Sequence, residues 1–386
     1  MFDLTLRTNQ LKQFFSYEKK NEVGDTHIEI VPYRFTQHDD KGEIRSFQEA
    51  LQPAAFCPVP DDHIEENNTF PYVVFNPEGH ERSKGAILLL HGLNERSWEK
   101  YLTWAEYLAV NTEKPVVLFP IAFHMNRTPE GWINPHLTLP WAKRRKAEDS
   151  KADNATFANV ALSTRIDVNP LRFYASGRES VHNVKQLATE MKQGLHPLFA
   201  EDVKIDIFAY SIGALLAQVL FLARDSKLFD NSRLFMFCGG SIFSQMNGSA
   251  RDIMDQDAFE RLHNYLYNDF ATGAPLPESF PNDAIQEAFR AMLRPDILTH
   301  FREMYFEHAS DRIRAISLRN DVVSPTLGIK HALGKASEKI LKELDFPFPY
   351  SHQVPFPMKT RIDPTAIEEA FKSVFRPAAD FLSKQS

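Results

Sequence analysis

Cysteine is nearly absent: Cys57 and Cys238 are the only two in 386 residues. Two thiols cannot staple a disulfide scaffold, so the fold must rest on its core, and Cys238, at the end of an apolar run, reads as a buried core thiol. No apolar run approaches the length of a bilayer-crossing helix. Residues 1–15 carry polar and charged side chains throughout, without a signal-type apolar stretch. A cytoplasmic protein with no membrane partner is expected. Neither Cys-x-x-Cys nor His-Glu-x-x-His occurs, so no metal is expected. Gly239-Gly240 lacks the further glycine and the lysine of a phosphate-cradling loop. A net charge of −7 gives phosphate backbones nothing to attract, which argues against nucleic acid as a partner. The one basic run, Lys143-Arg144-Arg145-Lys146, is followed at once by Glu148, Asp149 and Asp153 and reads as a solvated helix face. There is no internal repeat.

Against these absences stands a pentapeptide, Ala209-Tyr210-Ser211-Ile212-Gly213. A strand-like run, 203–208, leads into it, and an almost wholly apolar helix-like run, 213–223, follows. Strand, sharp turn with serine at its apex, then helix lifts a nucleophile above the carboxyl end of a parallel sheet. The positions two before and two after the serine must be small, and Ala209 and Gly213 meet that need. The match to Gly-x-Ser-x-Gly is imperfect because its first glycine is alanine here.

Two further signals lie in the right order around it. Upstream, the buried-strand pattern 85–90 runs into His91-Gly92-Leu93-Asn94. Downstream, the run 312–319 ends in Asn320-Asp321, and the run 340–348 leads to Pro349-Tyr350-Ser351-His352. Serine, then acid after a late strand, then histidine in the next loop is the order of the α/β-hydrolases. Over residues 84–376 the chain resembles that superfamily, in its serine hydrolase form. The resemblance implies a mostly parallel central sheet with helices on both faces and a helical cap insertion.

The rest of the chain can be read on that frame. Residues 1–83 form an amino-terminal extension and the first edge strands, with strand candidates at 27–33 and 70–75. Residues 84–243 and 311–386 form the core. Prolines 129, 135, 140 and 170 predict an irregular insertion over 124–177. The helical spacing of Phe259, Leu262 and Leu266, and of Ile285, Phe289, Met292 and Leu293, predicts a helical cap over 244–310. Asp363 and Pro364 predict the start of a last helix. Lys204 and Asp206 suit the amino end of their strand. The 31 phenylalanines read as a ring-filled core, or less readily as a greasy acyl pocket.

An alcohol oxygen attacks a carbonyl poorly unless a base takes its proton, and histidine titrates in the useful range. A carboxylate on the other ring nitrogen fixes the tautomer. These roles fall to Ser211 as nucleophile, His352 as base and then acid, and Asp321 as orienting acid. His352 is preferred over the other histidines because it alone follows the last strand candidate and precedes the last helix. Asn320-Asp321 is locally also a turn signal. Oxyanion donors are expected from the backbone N–H groups of Leu93 and Ile212. His91 is expected to organise its loop and Gly92 to permit its tight turn, while His124 and Tyr210 are pocket candidates. The expected activity is carboxylesterase-like: cleavage of a carboxylic ester or thioester of a small-molecule acyl substrate, with no cofactor. The same residues would serve an acyltransferase or a peptidase, and the fold alone would serve a non-catalytic binding protein.

Overall fold

The computed structural model describes residues 3–38, 51, 53–79, 82–224, 228–273, 276–278, 280–358 and 361–384. Among them lies a nine-stranded sheet: β1 (Asn21–Val23), β2 (Ile28–Thr36), β3 (Thr69–Pro77), β4 (Ser83–Leu90), β5 (Val116–Leu118), β6 (Phe199–Tyr210), β7 (Leu234–Phe237), β8 (Ile313–Leu318) and β9 (Leu341–Leu344). Their order is β1-β2-β3-β5-β4-β6-β7-β8-β9. The first three strands run antiparallel, β3 joins β5 antiparallel, and every pair from β5 through β9 is parallel. This order, with the antiparallel strands at one edge and helical crossovers elsewhere, is the α/β-hydrolase fold.

Burial on both faces explains the unbroken apolar strands. Ala86, Leu88 and Leu90 of β4 face one core, together with Ile207 and Ala209 of β6 and the helices Leu171–Lys192 and Ile212–Ala223. Ile87 and Leu89 face the other, with Phe208 and Tyr210, under the helices Leu102–Thr112 and Pro364–Ser383. The second face holds much of the phenylalanine: Phe371 and Phe375 stack at 4.3 Å, and Phe208, Phe235, Phe237 and Phe356 pack around them. The last helix starts where the capping signal lies, with Asp363 Oδ1 accepting from the N–H of Thr365 at 3.0 Å.

Asp206 is fully buried yet paired, accepting from Lys114 Nζ at 2.9 Å and from the N–H of Arg233 at 2.8 Å. It is level with Val116, the first residue of β5, so the polar residues of β6 do lie at the amino edge of the parallel strands, although β6 itself reaches back to Phe199.

The irregular insertion expected over 124–177 is instead helical, with Glu130–Ile133, Pro135–Glu148, Val160–Val168 and the first turns of Leu171–Lys192. Its prolines mostly open helices rather than break them. Pro135 is the first residue of its helix, behind the Asn134 side chain that caps it, and Pro170 immediately precedes Leu171. Between β7 and β8 lie the helices Gln256–Asn264, Ala284–Ala291 and Thr299–His308. The two insertions pack together through Val160–Val168 and Gln256–Asn264. Arg145, expected on a solvated face, is largely buried at this junction. It pairs with Asp167 at 2.9 Å, with Asp257 at 3.2 Å and with the fully buried Asp255. Its neighbour Arg144 does lie on the exposed side, paired with Glu148.

Candidate active site

Ser211 stands at the turn between β6 and the Ile212–Ala223 helix with φ 56° and ψ −122°, a conformation that side-chain-bearing residues rarely adopt. Close packing holds it there. A Cβ on Gly213 would lie 2.7 Å from the carbonyl oxygen of Leu90 and 2.8 Å from that of His91. A Cβ on Gly239 would lie 2.5 Å from the Ser211 carbonyl oxygen. Gly213 and Gly239 therefore seat the turn by having no side chain. Ala209, in the buried register of β6 opposite Met236, has room for its methyl, which accounts for alanine in place of the first glycine.

Three side chains from distant segments converge at this point. Ser211 Oγ lies 2.6 Å from His352 Nε2, and His352 Nδ1 lies 2.8 Å from Asp321 Oδ2. All three residues are buried. Asp321 follows β8, and its second oxygen accepts from the N–H groups of Val323 and Ser324, each at 2.9 Å. The carboxylate is thus both a turn former and the partner of His352. The buried Cys238 thiol sits against it, and its ionisation is pushed well up, first by burial and then by the Asp321 charge. The arrangement gives the Ser211 proton an acceptor within reach, and that acceptor an orienting group.

Tyr210 lines none of the cavities described here. Its ring stacks beside that of His352 at 5.5 Å and 22°, and its hydroxyl donates to the His352 carbonyl oxygen. It is a support under the histidine loop rather than a pocket wall. Lys100 adds a second support: Nζ donates to the Gln353 carbonyl oxygen at 3.0 Å, pairs with Glu95, and lies 4.6 Å from the centre of the Tyr210 ring.

On the opposite side, His91 Nε2 accepts from the N–H of Ile121 at 3.0 Å while Nδ1 donates to the Gly92 carbonyl oxygen at 2.9 Å. Complete burial pushes its pKa well below the usual value, so the ring is a neutral strut between the ends of β4 and β5. Gly92 is not in a left-handed conformation. It is glycine for space, since a Cβ would meet Glu95 Oε1 at 3.2 Å and the Tyr210 ring at 3.3 Å. The positive φ of this loop falls on Asn94, at 59°, whose Nδ2 donates to the carbonyl oxygens of Ala158 and Asp252, each at 2.9 Å. One side chain thereby clips the loop to both insertions. The N–H groups of Leu93 and Ile212 have no acceptor among the described residues.

Ser211 borders a cavity of about 40 Å³ with Leu93, Phe173, Ile212, Phe259 and Leu262, an almost wholly apolar lining. Leu93, Phe173 and Ile212 also wall a second apolar cavity of about 60 Å³. His124 belongs to this second one. Leu93 contributes to both, and to two further hollows at the same edge. Among the described residues there is no cluster of three or more His, Cys, Asp or Glu able to hold a metal ion, and no helix long and apolar enough to cross a membrane.

No curated protein matches the chain. An esterase from Pyrobaculum calidifontis aligns over 98% of this chain and 91% of its own at 12% identity, with a TM-score of 0.43. Carboxyl esterase 2 of Tuber melanosporum aligns over 99% and 98% at 8% identity, TM-score 0.42. Esterase Est22, solved with p-nitrophenol, aligns over 98% and 88% at 13% identity, TM-score 0.47. Likenesses this distant leave the reading of the site to its own geometry. The model of a family of unknown function, DUF6051, matches residues 5–383, and the chain belongs to that family.

Proposed function

We propose that the protein is a serine hydrolase that cleaves a carboxylic ester or thioester through an acyl-enzyme on Ser211. The observation that carries this reading is the unbroken hydrogen-bonded chain Ser211–His352–Asp321 at the carboxyl edge of the sheet. Ser211 Oγ attacks the substrate carbonyl carbon as its proton passes to His352 Nε2, and Asp321 stabilises the imidazolium. The carbonyl electrons move to oxygen, where the free N–H groups of Ile212 and Leu93 supply donors. The alcohol or thiol leaves with the proton from Nε2. Water, deprotonated by the same nitrogen, then attacks the acyl carbon and releases the acid.

The helices of the two insertions act as a cap. Phe259 and Leu262 from one, and Phe173 from the other, close the apolar cavity beside Ser211, where the acyl group of a small or medium substrate would begin to be enclosed. Two buried free thiols accord with a cytoplasmic enzyme.

A fluorophosphonate probe should label Ser211, and the protein should hydrolyse a p-nitrophenyl acylate. Ser211→Ala should lose the label, and turnover should fall by on the order of 10⁶-fold. A folded wild-type protein that neither takes the label nor turns over the ester would overturn the reading. Added alcohol or amine acceptors, with product analysis, separate hydrolysis from acyl transfer.

A further inference from the structure

A chain of hydrogen bonds joins the loop after β4 to the loop that carries His352. The N–H of Gly92 donates to the Tyr101 hydroxyl at 3.0 Å, and that hydroxyl donates to Glu95 Oε1 at 3.0 Å. The same oxygen pairs with Lys100, whose Nζ also donates to the Gln353 carbonyl oxygen at 3.0 Å. The chain thus begins at the residue before Leu93 and ends at the residue after His352.

Each link has a reason to stay fixed. Tyr101 is fully buried, and burial, then the Glu95 charge, pushes its ionisation well up, so the hydroxyl keeps its hydrogen and donates. The Lys100 and Glu95 side chains are only 18% and 21% exposed, so water competes weakly for the pair. The Lys100 ammonium lies 4.6 Å from the centre of the Tyr210 ring, and the Tyr210 hydroxyl donates to the His352 carbonyl oxygen. Two successive carbonyls, of His352 and Gln353, are therefore held by neighbouring side chains. At the other end Gly92 is held twice, by Tyr101 at its N–H and by His91 Nδ1 at its carbonyl. The Leu93 N–H belongs to the same planar peptide as that carbonyl, so holding the carbonyl fixes the direction of the N–H.

We propose that Tyr101, Glu95 and Lys100 act as one clamp that positions the Leu93 N–H and the His352 imidazole relative to each other. This rests on the serine hydrolase reading and goes beyond it by naming three positioning residues, which act through the groups they hold. A lysine at a surface edge ordinarily keeps its ammonium in water. Lys100 instead spans two loops, and the other charges at this edge leave it free to do so: Glu99 is taken by Lys12, and the Arg96 guanidinium lies 5.2 Å from the centre of the Phe157 ring. Attack by Ser211 needs the base in place while the oxyanion donor is on aim. A displacement of about 1 Å at either can cost on the order of 100-fold in rate. Two separate supports would leave that alignment to chance; one continuous chain sets both ends together.

Lys100→Met cuts the chain at the histidine end and Tyr101→Phe cuts it at the other, with folding checked by circular dichroism. On a p-nitrophenyl ester each should lower kcat and kcat/KM together by about ten-fold or more, with KM held within about two-fold. The double variant should be no slower than the worse single one, because either cut undoes the same connection. Glu95→Gln, which keeps an acceptor oxygen, should retain more activity than Glu95→Leu. Should Tyr101→Phe not fold, Lys100→Met with Glu95→Leu gives the same cycle. Unchanged kcat, a loss confined to KM, or losses that multiply in the double variant would each overturn the clamp while wild-type turnover leaves the serine hydrolase reading standing. If the wild type turns over no ester, hydrogen exchange still decides. Lys100→Met should speed exchange over 91–95 as well as 351–354, and loosening of 351–354 alone, or of neither, overturns the proposal.

Discussion

Asp321 divides its two carboxylate oxygens between different tasks, and the division makes it separable by mutation. Oδ1 takes the N–H groups of Val323 and Ser324, and Oδ2 takes His352 Nδ1. Asparagine keeps an oxygen for the turn but places an amide against the imidazole, which then holds the wrong tautomer for accepting the serine proton. Asp321→Asn should fold with unchanged circular dichroism and lose kcat on p-nitrophenyl esters by on the order of 10⁴-fold. Ser211, Asp321 and His352 were legible in the sequence because each follows a strand-like run and each chemistry demands one residue type. The residues that support them were not. Gly239 under the serine turn, the Tyr210 hydroxyl on the His352 carbonyl and the Asn94 clip act across contacts between segments far apart in the chain, where neither periodicity nor a motif marks them. Gly92 was legible as a necessary glycine but for another reason: the sequence pattern suggested backbone freedom, and the packing shows crowding by Glu95 and Tyr210.

At the scale of elements, strands were readable from their apolar runs, and the start of the helix Pro364–Ser383 from its capping signal. The insertion between β5 and β6 was not, because proline signals both the start of a helix and its disruption, and only the neighbouring turn decides which. Nor does a run of four basic residues reveal which of them turns inward. Arg145 does so, and it holds together the carboxylates of Asp167, Asp255 and Asp257. Asp255 also caps the Gln256–Asn264 helix by accepting from the N–H of Ala258 at 3.0 Å. Arg145→Met would leave a buried carboxylate without its counter-charge beside two others. The expected loss is about 3–5 kcal/mol, concentrated where the insertions meet. Limited proteolysis should then cut within 244–310 well before the core, whereas in the wild type the two regions should resist together.

For the whole molecule, acid is the telling variable. His124 and His196 are buried, and burial lowers each pKa to about 4. Unfolded, each would take a proton near pH 6.5. Between pH 6.5 and about 4 the unfolded chain therefore binds protons that the folded one refuses, and stability falls as the pH is lowered through that window. Below it both states are protonated at these rings and their effect is spent. The melting temperature should be flat near neutrality and decline from pH 6.5 to about 4. His196 packs against Tyr33, Tyr72 and Phe199, away from the serine edge. His196→Phe should flatten the decline even if it shifts the plateau, and an unchanged slope would show that other groups govern it. A last consequence follows from Leu93, which lines both apolar hollows beside the serine while its own N–H has no acceptor among the described residues. On the proposed mechanism, accommodation and electrostatic help are thereby vested in a single residue. On that mechanism a guest too broad for these hollows should push Leu93 outwards and drag its amide off its aim. Such a guest should be retained but processed slowly, so that size selection would act on the speed of the reaction rather than on the grip.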